Sequence, residues 1–423
     1  MQTGNLEDTS TSPKRNTRAL LGAVFVTSIG DGLVLPFIFL YLTQVRDYSS
    51  TASGLVIGLS WVAQAVTTQY VGRVIERVDA RKLTAAFLLL AGSGWSIYTI
   101  PGNAGIALIA AACAGAGSGG YWPGISFLMT KHSHRSERHR VWGTRQVMLN
   151  VGIGAGGVIG GYTIAMSSGG GYEIVIWLNS LTFVACASLV MFISQTGIRK
   201  PIPKSTTEED SPNGWYAEIL RDFPLKFSLL CTFVYTLAGL SLFQILSLYV
   251  VTESNLSSVG VGQLFLVNTA AVAIFQIPIS RLAEGRSRPG FLASAMLLGG
   301  VAWGSFPLIS RIFHGNVALL VFGLAVFVFA ISECLQAVVQ DPLTIDLAGS
   351  HSLGAVIASM KLARTLAFCI GPVLAGAAQD LGPAIPWIAS GGMLILCGGM
   401  IIKYRNRIPG PVRFTPVPQA DHP

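Results

Sequence analysis

Long apolar stretches recur along this chain, separated by short loops that alternate between basic and almost charge-free. About 20 apolar residues are what an α-helix needs to cross ~30 Å of hydrocarbon at ~1.5 Å per residue. The pattern places such stretches at 19–42, 53–72, 83–101, 105–130, 142–166, 173–195, 226–251, 258–280, 290–310, 316–340, 352–377 and 384–403. Hydrocarbon offers the backbone no water, so each span must pair its own N–H and C=O groups as a helix. The expected fold class is therefore an all-α membrane protein with twelve transmembrane helices. Six spans precede and six follow the longest internal polar stretch, which carries Pro201, Pro203, the acidic run Glu208–Asp210 and Pro212 and reads as a flexible linker. The resulting division is a polar tail 1–18, a six-helix bundle 19–195, a linker 196–225, a second bundle 226–403 and a tail 404–423. The polar start leads into a full-length span with no cleavable-looking site, so that span reads as retained.

Composition agrees: 51% of residues are hydrophobic and 11% charged, against about 25% charged in a soluble domain. The net charge of +8 invites a nucleic-acid reading, but the placement of the charge argues for topology instead. With residue 1 in the cytoplasm, Arg46 and Arg311 alone of the 28 basic residues fall outside. The positive-inside rule then puts both termini in the cytoplasm of a multi-pass cell-membrane protein. Cys113, Cys186, Cys231, Cys334, Cys369 and Cys397 all fall within spans, at no metal-ligand spacing, and read as small buried hydrophobes. His132, His134 and His139 crowd the loop after the fourth span; a solvated basic loop is the reading, not a metal site. The chain has no phosphate-cradling loop and no soluble stretch to house a nucleotide domain, so no cofactor is expected and an ion gradient is the natural driver. Moving one charge across 100 mV supplies about 2.3 kcal/mol.

The two halves echo each other. Gly72, then Glu76, Arg77, Arg81 and Lys82, follow the second span; Ser280, then Glu284, Arg286 and Arg288, follow the eighth. A small residue, three residues, Glu and a basic cluster at equivalent places fit the internal repeats of secondary transporters. On these residues the whole chain resembles the major facilitator superfamily. Gly72, Arg77, Arg81 and Lys82 match the family's loop signature, while Glu76 stands where Asp is usual and Asp79 where a turn glycine is usual. In the fifth span Gly143, Gly152, Gly156, Gly160 and Gly161 match the family's antiporter signature, with Gly157 in place of its proline. The bland alternative is that these glycines serve only close helix packing. In the eleventh span Gly371, Pro372, Ala375 and Gly376 give a second version of that element.

The resemblance implies two pseudo-symmetric six-helix bundles around a central cavity open alternately to each side, as in the 12-helix drug:proton antiporters. It also implies a cytoplasmic gate made of Gly72, Glu76, Arg77, Arg81, Lys82, Arg140 and Arg145, with Glu76 pairing to Arg77, Arg140 or Arg145. Many such antiporters carry an arginine in the fourth helix, and this fourth span has no charge. Arg145, Lys361 and Arg364 are the remaining cations available to balance a buried carboxylate.

Of the 20 acidic residues, Asp31 and Glu333 lie well inside spans. An ionised side chain at a helix centre costs ~2.5–3.5 kcal/mol on insertion scales. Such a carboxyl can take a proton from one side and release it to the other, or attract a cationic ligand; the alternative for Asp31 is a structural carboxyl bonded to a neighbouring helix or capping a break near Gly30, Gly32 and Pro36. Gln336 and Gln340 follow Glu333 at i+3 and i+7, making one polar face in an apolar span. Lipid cannot satisfy such a face, so it points inward. Tyr121 and Trp122 lie mid-span before Pro123, too deep for interfacial anchors, and suit an apolar or aromatic substrate or core packing. Gln64, Asn150, Asn179, Gln244, Asn268 and Gln276 are further polar groups, some of which should line the same cavity.

The expected function is proton-coupled efflux of a small apolar or cationic molecule by a monomer, with substrate, protons and the bilayer as partners and neither nucleic acid nor catalysis involved. The alternatives are an importer of a nutrient such as a sugar, peptide or siderophore, and a non-transporting membrane sensor.

Overall fold

The computed structural model describes residues 11–133, 137–167, 169–193, 219, 221–349 and 352–416. Among them every expected span forms as a helix. Span 1 is Thr11–Val34 continued by Ile38–Gln44; spans 2 to 6 are Ser50–Val74, Ala80–Ile97, Ala104–His132, Arg138–Met166 and Gly171–Met191. Span 7 runs from Phe223 to Ser254; spans 8 to 12 are Ser258–Ala283, Arg288–Ile312, Gly315–Asp346, Leu353–Leu381 and Ile385–Arg407. Ten of these meet a membrane-crossing criterion of length and hydropathy; spans 2 and 3 are helical but fall below it.

The chain divides into two compact units, one of Met1–Tyr41 and Val56–Lys204, the other of Leu42–Leu55 and Ser205–Pro423. In the first unit, span 4 is narrow where its small residues lie. A Cβ on Gly115 or Gly119 would stand 2.1 or 2.3 Å from the Ser60 or Gln64 carbonyl of span 2. One on Gly117 would meet the Ala91 backbone of span 3 at 2.3 Å. Small residues thus let three helices approach backbone to backbone, where packing replaces the missing hydrophobic drive. Span 5 rides on span 1 the same way: a Cβ on Gly156 would lie 2.2 Å from the Ile29 carbonyl, and one on Gly160 2.7 Å from that of Leu33. A Cβ on Gly143 would meet nothing within 4 Å among the described residues, so it takes no part in this contact.

The loop after span 2 is set by Asp79. Its carboxylate accepts from the Arg81 N–H at 3.0 Å and caps span 3, while Arg81 also donates to the Ile193 carbonyl at the end of span 6. A carboxylate in place of the turn glycine is therefore a helix cap. Hydrogen bonding from the Arg81 side chain holds the Asp79 carboxyl below its ordinary value.

In the second unit, span 7 is broken midway by a π-turn at Tyr235–Leu240 and a 3₁₀ turn at Ser241–Ile245. The carbonyls released there find side-chain donors: Trp303 Nε1 donates to Gly239 at 3.2 Å and Ser241 to Thr236 at 2.9 Å. Trp303, Phe306, Phe329 and Trp387 form the aromatic core behind this break. The start of span 2 belongs to this unit because the Asp380 carboxylate caps it, accepting from the N–H groups of Ser50 and Thr51 at 2.9 and 2.8 Å. The tail also returns: Arg288 N–H donates to the Arg413 carbonyl at 2.9 Å and Thr415 N–H to that of Arg286 at 3.0 Å, bridging Ser287 to Phe414.

Candidate transport site

Pro36 lacks an N–H and interrupts span 1, whose next helical segment starts at Ile38. Asp31 sits one turn before that interruption, its carbonyl accepting from the Leu35 N–H at 2.8 Å. Its half-buried carboxylate receives the Tyr121 hydroxyl of span 4 at 3.5 Å, a long contact. Tyr121 is 1% exposed and packs edge-on to Phe183 with ring centroids 5.5 Å apart. Trp122 lies 5.1 Å from the Tyr121 ring and is half-buried. The structure thus brings Asp31, Tyr121 and Trp122 together in the first unit. Asn179 is sealed beside Gly30, neither of its amide atoms partnered.

Arg145 joins this group from span 5. Its guanidinium lies 4.9 Å from the Trp122 ring and 5.1 Å from that of Trp142. No ion pair links it to Asp31 or Glu76 among the described residues. Glu76 itself is exposed and makes no ion pair among them, so the expected pairing of Glu76 with Arg77, Arg140 or Arg145 does not form here. Gly72 faces open space, and Arg140 is exposed. The contact that forms around this loop is the Arg81 bond to Ile193 described above. Asn150 is half-buried.

In the second unit Glu333, half-buried on span 10, accepts from Asn268 Nδ2 of span 8 at 3.4 Å. Ser332, its neighbour, is fixed by two bonds, with the Tyr235 hydroxyl at 2.9 Å and to the Ala295 carbonyl at 2.7 Å. The π-turn of span 7 therefore holds the helix turn that carries Glu333. The polar stripe expected from Gln336 and Gln340 is sealed rather than open. Gln336 is 6% exposed, and Gln340, 0% exposed, donates to Ser228 at 2.9 Å as a strut between spans 10 and 7. The Gln340 amide N–H is taken up across the helix pair, while its Oε1 is buried with no partner among the described residues.

Arg364 of span 11 pairs with Asp341, a contact the sequence did not reveal because span 10 extends past its expected end at 340 to Asp346. Asp31 and Glu333 are left without a cationic partner among the described residues. No group of three or more His, Cys, Asp or Glu side chains suited to a metal occurs among the described residues, and His134 lies outside them.

Both units can therefore hold and exchange a proton or meet a cation at one deep carboxylate each. Comparison of the whole chain with known proteins identifies its family. Residues 20–372 match the family model described as Major Facilitator Superfamily. The chain is 21% identical over 368 residues to the uncharacterized MFS-type transporter YdeE of Escherichia coli (strain K12), covering 86% of this chain and 89% of that protein. It is 18% identical over 396 residues to Multidrug resistance protein 2 of Bacillus subtilis (strain 168), covering 92% and 94%. Quinolone resistance protein NorA of Staphylococcus aureus is 23% identical over 260 residues, 60% of this chain and 63% of that one. Among solved structures, a POT family transporter in complex with 5-aminolevulinic acid superposes with a TM-score of 0.75 at 13% identity, covering 93% and 96%. At these identities the structural likeness establishes the fold alone. With twelve helical spans among the described residues and a family match spanning most of its length, the chain belongs to the major facilitator superfamily.

Proposed function

We propose that this transporter exports small apolar or cationic molecules in exchange for protons. The observation that carries the reading is the pair of deep carboxylates, Asp31 and Glu333, each with one neutral donor and no cation among the described residues. Intramembrane carboxylates are costly and mark ion or substrate pathways. A carboxyl held by a single long hydrogen bond exchanges its proton more readily than one locked in an ion pair. Proton entry from outside neutralises the carboxyl as substrate leaves; inward release of that proton restores the anion. The multidrug and quinolone resistance names of its relatives support export. Localisation in the cell membrane with both termini cytoplasmic belongs to the same reading.

Everted membrane vesicles test it. Addition of a respiratory substrate should drive accumulation of a cationic dye that collapses with a protonophore, and Asp31→Asn or Glu333→Gln should lower the rate about tenfold or more, which is ~1.4 kcal/mol. Both variants pumping at the wild-type rate would remove the coupling assignment. Dye uptake in the opposite sense would favour the importer.

A further inference from the structure

Arg145 lies two turns into span 5, within a helix apolar enough to cross a bilayer. A cation at such a place ordinarily pairs with a carboxylate or faces water. Among the described residues Arg145 has no carboxylate partner, and its Nε is buried with no acceptor. Its neighbours are two indoles, Trp142 one turn earlier on the same helix and Trp122 on span 4. The guanidinium carbon lies over both indole rings, the placement in which a ring quadrupole attracts a cation. A planar guanidinium presents its N–H groups as a fork that matches a carboxylate in two parallel hydrogen bonds. Arg145 is half-buried with its Nε buried, and Trp142 is exposed, so the terminal amine end of the guanidinium is the part that a ligand can meet.

The surroundings extend the pattern. Trp122 rests on Tyr121, and Tyr121 reaches Asp31. Cation and carboxylate thus stand at the two ends of an aromatic wall rather than against each other. We propose that Arg145, clamped between Trp122 and Trp142, is an anion-recognition arm that takes the carboxylate of an aromatic substrate. Asp31 at the far end of the wall takes a cationic nitrogen, so the favoured class is an aromatic zwitterion. This rests on the exporter reading and narrows its substrate.

Intrinsic fluorescence of the purified chain in phosphatidylcholine nanodiscs tests the arm with two probes, a quinolone bearing its free carboxylate and the methyl ester of the same compound. Wild-type protein should bind the acid about tenfold or more tightly than the ester. Arg145→Gln should abolish that preference, and Arg145→Lys should restore part of it, since the charge returns without the planar fork. Equal affinity of the wild type for acid and ester, or no binding of the acid, overturns the proposal without any variant having to fold. A preference that survives in Arg145→Gln also overturns it. Loss of the preference in nanodiscs containing phosphatidylglycerol would reassign the guanidinium to a lipid headgroup, and overturn it as well. Protonophore-sensitive dye efflux by wild-type vesicles is measured separately; its failure removes the exporter reading and leaves the binding result standing.

Discussion

Asp31, Glu333 and Asp79 are all carboxylates with hydrogen-bond partners, yet their partners give them different work. Asp79 caps a helix and meets the cation of Arg81 at 3.1 Å, so its charged form is held. Its folded-state carboxyl titrates below the ordinary value. A depressed value means stability that is present above the unfolded-state value and lost as pH falls through the folded one. Replacing a cap of this kind costs about 0.5–2 kcal/mol. Asp79→Ala should therefore melt at a lower temperature than wild type near neutral pH, and the gap should narrow as the pH drops below about 4. A gap independent of pH would mean that packing of the loop, not the carboxylate charge, is what the substitution removes. Among the described residues Asp31 and Glu333 bond to a phenol and an amide, and under the proposed proton exchange that neutrality is what would let their protonation change. Their positions were legible because charge inside an apolar run is conspicuous. Their partners Tyr121 and Asn268 come from other helices, and no spacing in the sequence pairs them. Trp142 was nearer to hand: it precedes Arg145 by three residues, the interval that puts two side chains on one helix face.

At the scale of elements, glycine patterns carry a packing role that the structure makes explicit. Gly152, Gly156 and Gly160 face the backbone of span 1, one of them against Gly32 beside Asp31. Three glycines of the antiporter-like signature thus pack on the helix that bears the carboxylate, whereas a Cβ on Gly143, in the same sequence pattern, would meet nothing within 4 Å among the described residues. Gly156→Leu should destabilise the folded protein by about 1–3 kcal/mol, as overpacking does, while Gly143→Leu should leave its melting temperature nearly unchanged. Thermal unfolding in detergent distinguishes the two, and equal effects would contradict the packing role. The breaks of spans 1 and 7 differ in legibility for a related reason. Pro36 announces the first, because a missing N–H is written in the sequence. The π-turn of span 7 has no such marker; it persists because Trp303 and Ser241 from its surroundings satisfy its freed carbonyls.

For the whole molecule, the alternation of basic and charge-free loops predicts that the loop carrying Arg46 and the tail carrying Arg407 lie on opposite sides of the membrane. All six native cysteines fall in spans, and a cysteine-free background with Arg46→Cys or Arg407→Cys makes the test direct. An impermeant maleimide added to intact cells should label the former and spare the latter until the membrane is opened. Labelling of the tail alone in intact cells would reverse the orientation, and labelling of both would contradict their placement on opposite sides. Among the described residues ten of the spans were legible in hydropathy alone, because burial in hydrocarbon constrains each segment independently of the others. Spans 2 and 3 are less apolar, and the two-half organisation was read from the polar stretch between the halves and the repeated loop motif. Chain order did not reveal that Leu42–Leu55 packs with the second unit, that Gln340 is a sealed strut, or that Arg364 has Asp341 as its partner. Those depend on which faces of distant helices meet. A span's length and polarity are local properties, set residue by residue against the lipid. A hydrogen bond between spans needs two backbones brought within reach, and only the packed structure settles which two.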